Sequence, residues 1–225
     1  MGGAGGAGSH HGMAMGHLGS VGATPDLLPD WLGIIGAVIF LLVAGAHLGH
    51  LAMTSGERRR WHVLHVAMAL GMASMYAPAR VDPLPFAAEV WQLAFVALAL
   101  AAGTRWLCGL AGLASNNPLW LLTAIDLGAM AYMWTESDFV PALTWALVAY
   151  LVLEACLWVA NAYRQIDGGP PLIHWSMMRP APEGAALAVS TARSGALIGS
   201  LDISVSMTAM TIGMAYMLAA MQLMS

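Results

Sequence analysis

The sequence predicts an all-α fold, a polytopic membrane bundle of six transmembrane helices. Hydrophobic residues make up 59% of the 225-residue chain and charged residues only 9%, whereas a soluble domain carries about 25% charged residues. The mean hydropathy is +0.71. Six apolar segments each approach the roughly 20 residues that a spanning helix needs. Methionines recur at helical spacing along the last segment, which indicates helices rather than strands.

The six segments are separated by short polar or proline-containing connections. They lie near residues 31–53, 62–79, 86–108, 118–135, 139–162 and 196–224, within a transmembrane domain over residues 31–225. The link between the fourth and fifth segments is so short that we expect these two to form a tight hairpin. The longest connection, residues 163–195, contains two proline-rich stretches and is expected to be an irregular cytoplasmic loop.

The basic residues predict the orientation. All eight are arginines, and their abundance together with Ala and Gly is typical of a bacterial genome rich in G and C. Arg58, Arg59 and Arg60 follow the first segment, Arg105 ends the third, and Arg164, Arg179 and Arg193 follow the fifth. Only Arg80 lies on the other side. The positive-inside rule then places both termini outside the bacterial cytoplasmic membrane. Tryptophans near segment ends, such as Trp61 and Trp120, are expected to form interfacial belts.

Residues 1–30 are rich in Gly, Ala and Ser and are expected to be a disordered extracytoplasmic tail. They lack the basic start and apolar core of a signal peptide, so the first helix is expected to act as the insertion signal. Imidazoles and thioethers cluster in this tail at His10, His11, Met13, Met15 and His17. Thioethers favour Cu(I), and imidazole binds either oxidation state. The cluster indicates copper or another soft metal, unless its composition is accidental.

Two His-x-x-His pairs flank the first connection. His47 and His50 end the first segment, and His62 and His65 begin the second. Residues three apart share a helix face, and a hairpin brings both pairs to the same cytoplasmic depth. Such a set can bind a transition metal, or haem through one histidine from each helix. The alternative is a set of interfacial histidines that bond to backbone or lipid headgroups.

The last segment carries a methionine ladder, whose steps of three and four place every thioether on one helix face. Its members are Met207, Met210, Met214, Met217, Met221 and Met224. A Met-Ala-x-Met unit recurs in the second and fourth segments, whose stripes contain Met68, Met72, Met75, Met130 and Met133. The recurrence predicts a helical hairpin used three times, or three helices that line one interior. Such an interior can pass Cu(I) between weak thioether sites, or its methionines simply fill an apolar core.

Acidic residues within the segments are further candidates. Asp126 lies on the methionine face of the fourth segment. We expect it to be protonated, bonded to a polar neighbour such as Thr123 or Ser206, or active as a hard metal ligand or proton carrier. Glu154 in the fifth segment is the next candidate. The sequence contains no phosphate-binding loop, serine-hydrolase or zinc-protease motif, and the lack of a basic surface excludes nucleic-acid binding.

The stretch from His62 to Met75, followed by Tyr-Ala-Pro, resembles an actinobacterial family of small multi-pass membrane proteins catalogued as a domain of unknown function (5134-type). The resemblance covers about residues 31–225 and leaves the tail outside. It implies a His-plus-Met second helix and a Met-rich last helix, and it implies a membrane location but no activity. The corresponding residues are His62, His65, Met68, Met72 and Met75.

Together these patterns predict a copper-handling membrane protein. The tail captures copper, the methionines hold or pass Cu(I), and the histidine hairpin binds or delivers it inside, for uptake, storage or metallation of a membrane copper enzyme. The expected partners are the lipid bilayer and such an enzyme or other membrane subunits. One alternative is a structural or assembly subunit of a larger respiratory or oxygenase complex, and another is a bis-histidine haem protein. An enzyme in its own right is the reading with least support.

Overall fold

The computed structural model describes residues 29–78, 87–114, 117–135, 139–166 and 189–224, without the side chains of 163–166 and 189–201. Every regular element in these ranges is an α-helix, which confirms the all-α prediction. The helices are α1 (Asp30–Met53), α2 (Gly56–Tyr76), α3 (Ala88–Leu110), α4 (Leu119–Met133), α5 (Pro141–Ile166) and α6 (Val189–Met224).

Four helices in the described part of the chain are long and apolar enough to cross a membrane: Asp30–Met53, Ala88–Leu110, Pro141–Ala162 and Asp202–Met224. Large hydrophobic side chains such as Leu42, Leu93 and Leu153 are exposed on α1, α3 and α5. Extensive apolar exteriors of this kind are typical of surfaces that contact lipid or other proteins. The fold is therefore that of a membrane-type helical bundle.

The two other helices, α2 and α4, do not meet the length and hydropathy of a membrane span, and each has its own reason. Glu57 and the three following arginines lower the hydropathy of α2, because the helix begins at Gly56 rather than near residue 62 as predicted. α4 has 15 residues and a length of about 22 Å, which is less than the roughly 30 Å hydrocarbon core. The prediction of six spans therefore goes beyond what length and composition support.

The connections also differ from the prediction. Gly56 adopts φ +64°, a left-handed conformation that glycine reaches without strain, and so only Thr54 and Ser55 separate α1 from α2. As a result, Arg58 lies in the first turn of α2 and not in a loop. The expected loop over 163–195 is shorter than predicted, since α5 continues to Ile166 and α6 already begins at Val189.

Helices that are consecutive in sequence form three closely packed pairs: α1 with α2, α3 with α4, and α5 with α6. The second helix of each pair also contacts the other two second helices. These inner helices, α2, α4 and α6, are the ones that carry the Met-Ala-x-Met units. The two predictions for the repeat, a hairpin used three times and three helices that line one interior, therefore describe the same arrangement.

The expected tight hairpin of the fourth and fifth segments is wrong. α4 and α5 touch through long side chains, as where the Tyr132 hydroxyl lies 2.9 Å from the Thr144 hydroxyl. The closest partner of α4 is nevertheless α3, and that of α5 is α6. A short link constrains where two helices begin and end, but it does not force their axes into close contact.

One glycine allows the three helices α1, α2 and α6 to meet. A methyl group at Gly213 would lie 2.4 Å from Cζ of Phe40 and 3.2 Å from Cε of Met72. The Tyr76 hydroxyl donates to the Gly213 carbonyl oxygen over 3.1 Å. Small residues that let backbones approach closely are the usual basis of helix packing in membranes.

We expect Gly213→Ala to destabilise the bundle by about 1–3 kcal/mol, because the added methyl group displaces the Phe40 ring from a filled core. Thermal unfolding of the protein in detergent measures the effect. Gly45→Ala is the matched control, since a methyl group at Gly45 meets nothing within 4 Å. Equal unfolding temperatures for the two variants would contradict the close approach of α6 to α1.

Candidate functional site

The four histidines of the α1–α2 hairpin lie together. His47, His62 and His65 are buried, and the Nδ1 atoms of His47 and His62 are 3.0 Å apart. The ring centroids of His47 and His65 are 5.3 Å apart, and His50 stacks on His62 at 5.2 Å. The short turn after α1 produces this arrangement, because it holds both His-x-x-His pairs at one depth.

His50 also ties the cluster to the last helix. Its Nε2 lies 3.1 Å from Oδ2 of Asp202, with the His50 side chain 17% exposed and that of Asp202 47% exposed. Asp202 is the first residue of α6 whose side chain the structure describes. The cluster thus lies at the end of the bundle where α6 meets the α1–α2 turn.

Hydrogen bonding fixes the tautomer of His65. Its Nδ1 lies 2.8 Å from the Trp61 carbonyl oxygen. A carbonyl oxygen only accepts, so Nδ1 carries the proton and the Nε2 lone pair of the neutral ring is left free. A backbone carbonyl on one ring nitrogen commonly orients the other nitrogen toward a metal. The Nε2 atoms of His65 and His47 are both buried without a hydrogen-bond partner.

Trp61 covers this cluster. Only 1% of the residue is exposed, and its ring centroid is 3.7 Å from that of His65. The prediction that Trp61 and Trp120 belong to an interfacial belt is therefore wrong, since both are buried in the core. The sequence could have indicated the contact between Trp61 and His65, because residues four apart share a helix face.

The methionine stripes of α2, α4 and α6 form one buried cluster. Its members are Met68, Met72, Met75, Met130, Met133, Met207, Met210, Met214 and Met217, none of them more than 5% exposed. Met221 is half-buried and Met224 is exposed, so the ladder leaves the core at its C-terminal end. This burial suits a packed core as well as a row of thioether ligands.

A second polar cluster lies between α4 and α5. Asp126 is 1% exposed and accepts a hydrogen bond from the Tyr150 hydroxyl over 3.2 Å. Trp158 Nε1 donates to Oε1 of Glu154 over 3.1 Å. The expected neighbours of Asp126 were Thr123 and Ser206, but the structure supplies Tyr150. The Ser206 hydroxyl instead bonds to backbone carbonyls of its own helix.

Metal-binding residues were also predicted in the N-terminal tail. The tail residues His10, His11, Met13, Met15 and His17 lie outside the described residues. Within the described ranges, no group of three or more His, Cys, Asp or Glu side chains is arranged to hold a metal ion. The four imidazoles are thus neighbours without forming a ready-made three- or four-ligand site.

Comparison with known proteins identifies one family. The model of a family described as Domain of unknown function (DUF5134) matches residues 57–221, which is well over half of the chain and includes α2 to most of α6. No curated protein and no solved structure matches the sequence. The suspected resemblance is confirmed.

We expect His65 to be protonated on Nδ1 and bare on Nε2, because the Trp61 carbonyl can only accept a hydrogen bond. Nitrogen-15 NMR of histidine-labelled protein distinguishes the two nitrogen types, and a His65→Gln variant assigns the signals. His50, whose Nε2 faces the Asp202 carboxylate, serves as the internal control. A protonated Nε2 on His65 would contradict the assigned orientation of its ring.

Proposed function

The chain belongs to the family described as Domain of unknown function (DUF5134), and because that description assigns no activity, we propose from the chain's own side chains that it is an integral membrane protein that binds and handles Cu(I). The observation that carries the proposal is the pair of buried, unpartnered Nε2 atoms on His47 and His65. The buried methionines of α2 begin one turn further along, at Met68.

The energetics favour a ligand at these nitrogens. A buried polar atom without a partner costs about 1–3 kcal/mol. A soft cation would be held by Nε2 of His65 and, in the tautomer in which Nδ1 of His47 donates to His62, by Nε2 of His47. Cu(I) accepts such low coordination with imidazole and sulfur, whereas Zn²⁺ prefers four ligands in a tetrahedron.

The thioether interior supplies the route between the two faces of the membrane. Weak methionine sites along α2, α4 and α6 hold a soft ion without trapping it. The His/Met tail captures copper on the extracytoplasmic side, and the histidine cluster receives it at the cytoplasmic end, for uptake, storage or metallation of a membrane copper enzyme.

This scheme requires that all six helices span the membrane, with both termini outside. α2 and α4 are inner helices with many buried residues. A helix that faces protein rather than lipid does not need an apolar surface all round, which is why the lower hydropathy of α2 is compatible with a transmembrane position. The arginines at the start of α2 and near the end of α3 keep those ends in the cytoplasm.

Haem is a less favoured cofactor. Bis-histidine ligation needs a macrocycle between two imidazoles from different helices. His47 of α1 and His62 of α2 are instead in direct hydrogen-bond contact, and Trp61 packs against His65. This packing favours an ion over a porphyrin.

We expect the full-length protein in detergent to bind Cu(I) under reducing conditions, and His47→Ala and His65→Ala each to weaken the affinity at least about tenfold. Loss of even an outer-shell partner typically has an effect of that size. Competition with a chromophoric Cu(I) chelator measures the affinity.

His50→Ala is the matched control and should retain Cu(I), because its Nε2 already contacts Asp202. Binding that is unchanged in the His47→Ala/His65→Ala double variant would refute the site. A Soret band in the purified protein would replace copper with haem, and subunits that co-purify without any metal would favour an assembly role.

We expect the Leu replacement of Met72, Met75, Met214 and Met217 to slow Cu(I) entry into proteoliposomes several-fold while binding at the histidines persists. Leucine has a similar volume and no sulfur, so the core should remain packed. The control is Met221→Leu/Met224→Leu, outside the buried cluster. If entry is equally fast in the two variants, the methionines are packing residues only.

A further inference from the structure

We propose that Asp126, Glu154 and Tyr150 form a proton-binding site inside the bundle, between α4 and α5. The site is separate from the histidine cluster, which α1 and α2 build, and it does not depend on copper binding. Its ligand is a proton, which the two carboxyl groups share and exchange.

The two acids lie inside the helical bundle with very little access to solvent. Asp126 is 1% exposed and Glu154 4% exposed. The groups that act electrostatically on Asp126 include the Glu154 carboxyl and the Tyr150 phenol. Tyr150 in turn interacts with both acids. The three side chains therefore form one interacting unit.

The nearby basic side chains are engaged elsewhere. Arg105 on α3, the helix packed against α4, pairs with Glu57 and lies over the Trp120 ring. The other described arginine side chains, Arg58, Arg59 and Arg60, lie in the first turns of α2. In this proposal, protons balance the charge of the acid pair.

Two adjacent carboxylates cannot both be ionised cheaply in a low-dielectric interior, because their like charges repel and each loses its hydration. The pair accordingly retains at least one proton at neutral pH. Tyr150 and Trp158 each donate a hydrogen bond into the pair, which stabilises the one remaining negative charge. Uptake of a second proton makes both carboxyl groups neutral.

An unpartnered oxygen identifies where the proton can be held. Oε1 of Glu154 accepts from Trp158, whereas Oε2 is buried and has no hydrogen-bond partner. This free acceptor can receive a hydrogen bond from a protonated Asp126 carboxyl, so that the two acids hold one proton between them. A metal ion fits less well here, since the described side chains offer no set of three His, Cys, Asp or Glu ligands.

Infrared spectroscopy of the full-length protein in lipid nanodiscs tests the site. We expect the C=O stretching band of a protonated carboxylic acid at neutral pH, where exposed carboxyl groups are ionised. The band should shift on exchange into deuterium oxide. It should disappear in the Asp126→Asn/Glu154→Gln double variant and persist in Asp202→Asn, which removes a partly exposed acid.

Tyr150→Phe keeps the size of the ring and removes only the hydroxyl, so it separates the proton site from a folding defect. Because this hydroxyl donates to Asp126, its loss should move the band without abolishing it. Circular dichroism and thermal unfolding establish that each variant is folded. The proposal is overturned if the wild-type protein lacks the band at neutral pH, if the double variant keeps it, or if Tyr150→Phe leaves its frequency unchanged.

Discussion

Polar side chains in this bundle must find their partners within the protein, because the outer faces of α1, α3 and α5 are apolar. In lipid no water is available to satisfy a buried donor or acceptor, so each orphan group is costly. His47 meets His62, Asp126 meets Tyr150, and Asn161 donates to Ser204 over 3.1 Å. Each contact joins different helices, and so the need for polar partners also determines which helices lie side by side.

Some of the exceptions to this rule lie at the proposed sites. Among the described side chains, the buried atoms without partners include Nε2 of His47, Nε2 of His65 and Oε2 of Glu154. The first two are imidazole nitrogens at one end of the thioether-lined interior, and the third is a carboxyl oxygen in an acid pair. The chemistry of these atoms is the basis for proposing a copper site at one end of the bundle and a proton site between α4 and α5.

The interior between these sites is filled by methionine. Its long, unbranched side chain adapts to irregular gaps, which suits the convergence of three inner helices that belong to three different hairpins. Glycines set how close the helices come: a methyl group at Gly71 would lie 2.5 Å from Cζ of Phe95 and 3.0 Å from Cε of Met130. The same methionines therefore provide the packing of the core and the sulfur atoms of the proposed copper route.

The sequence by itself determined the helices and the contents of the core. Hydropathy predicted the segments, the three-and-four spacing predicted the buried methionine face, and the short turn after α1 predicted that the four histidines meet. It could not determine which helices pair, because similarly apolar segments offer alternative partners and hydropathy does not distinguish them. The partner of Asp126 is Tyr150, 24 residues away on α5, which the sequence pattern did not single out. The burial of Trp61 and the direction of each imidazole were likewise decided by the tertiary structure, since they depend on hydrogen bonds and on close approaches at glycine between helices.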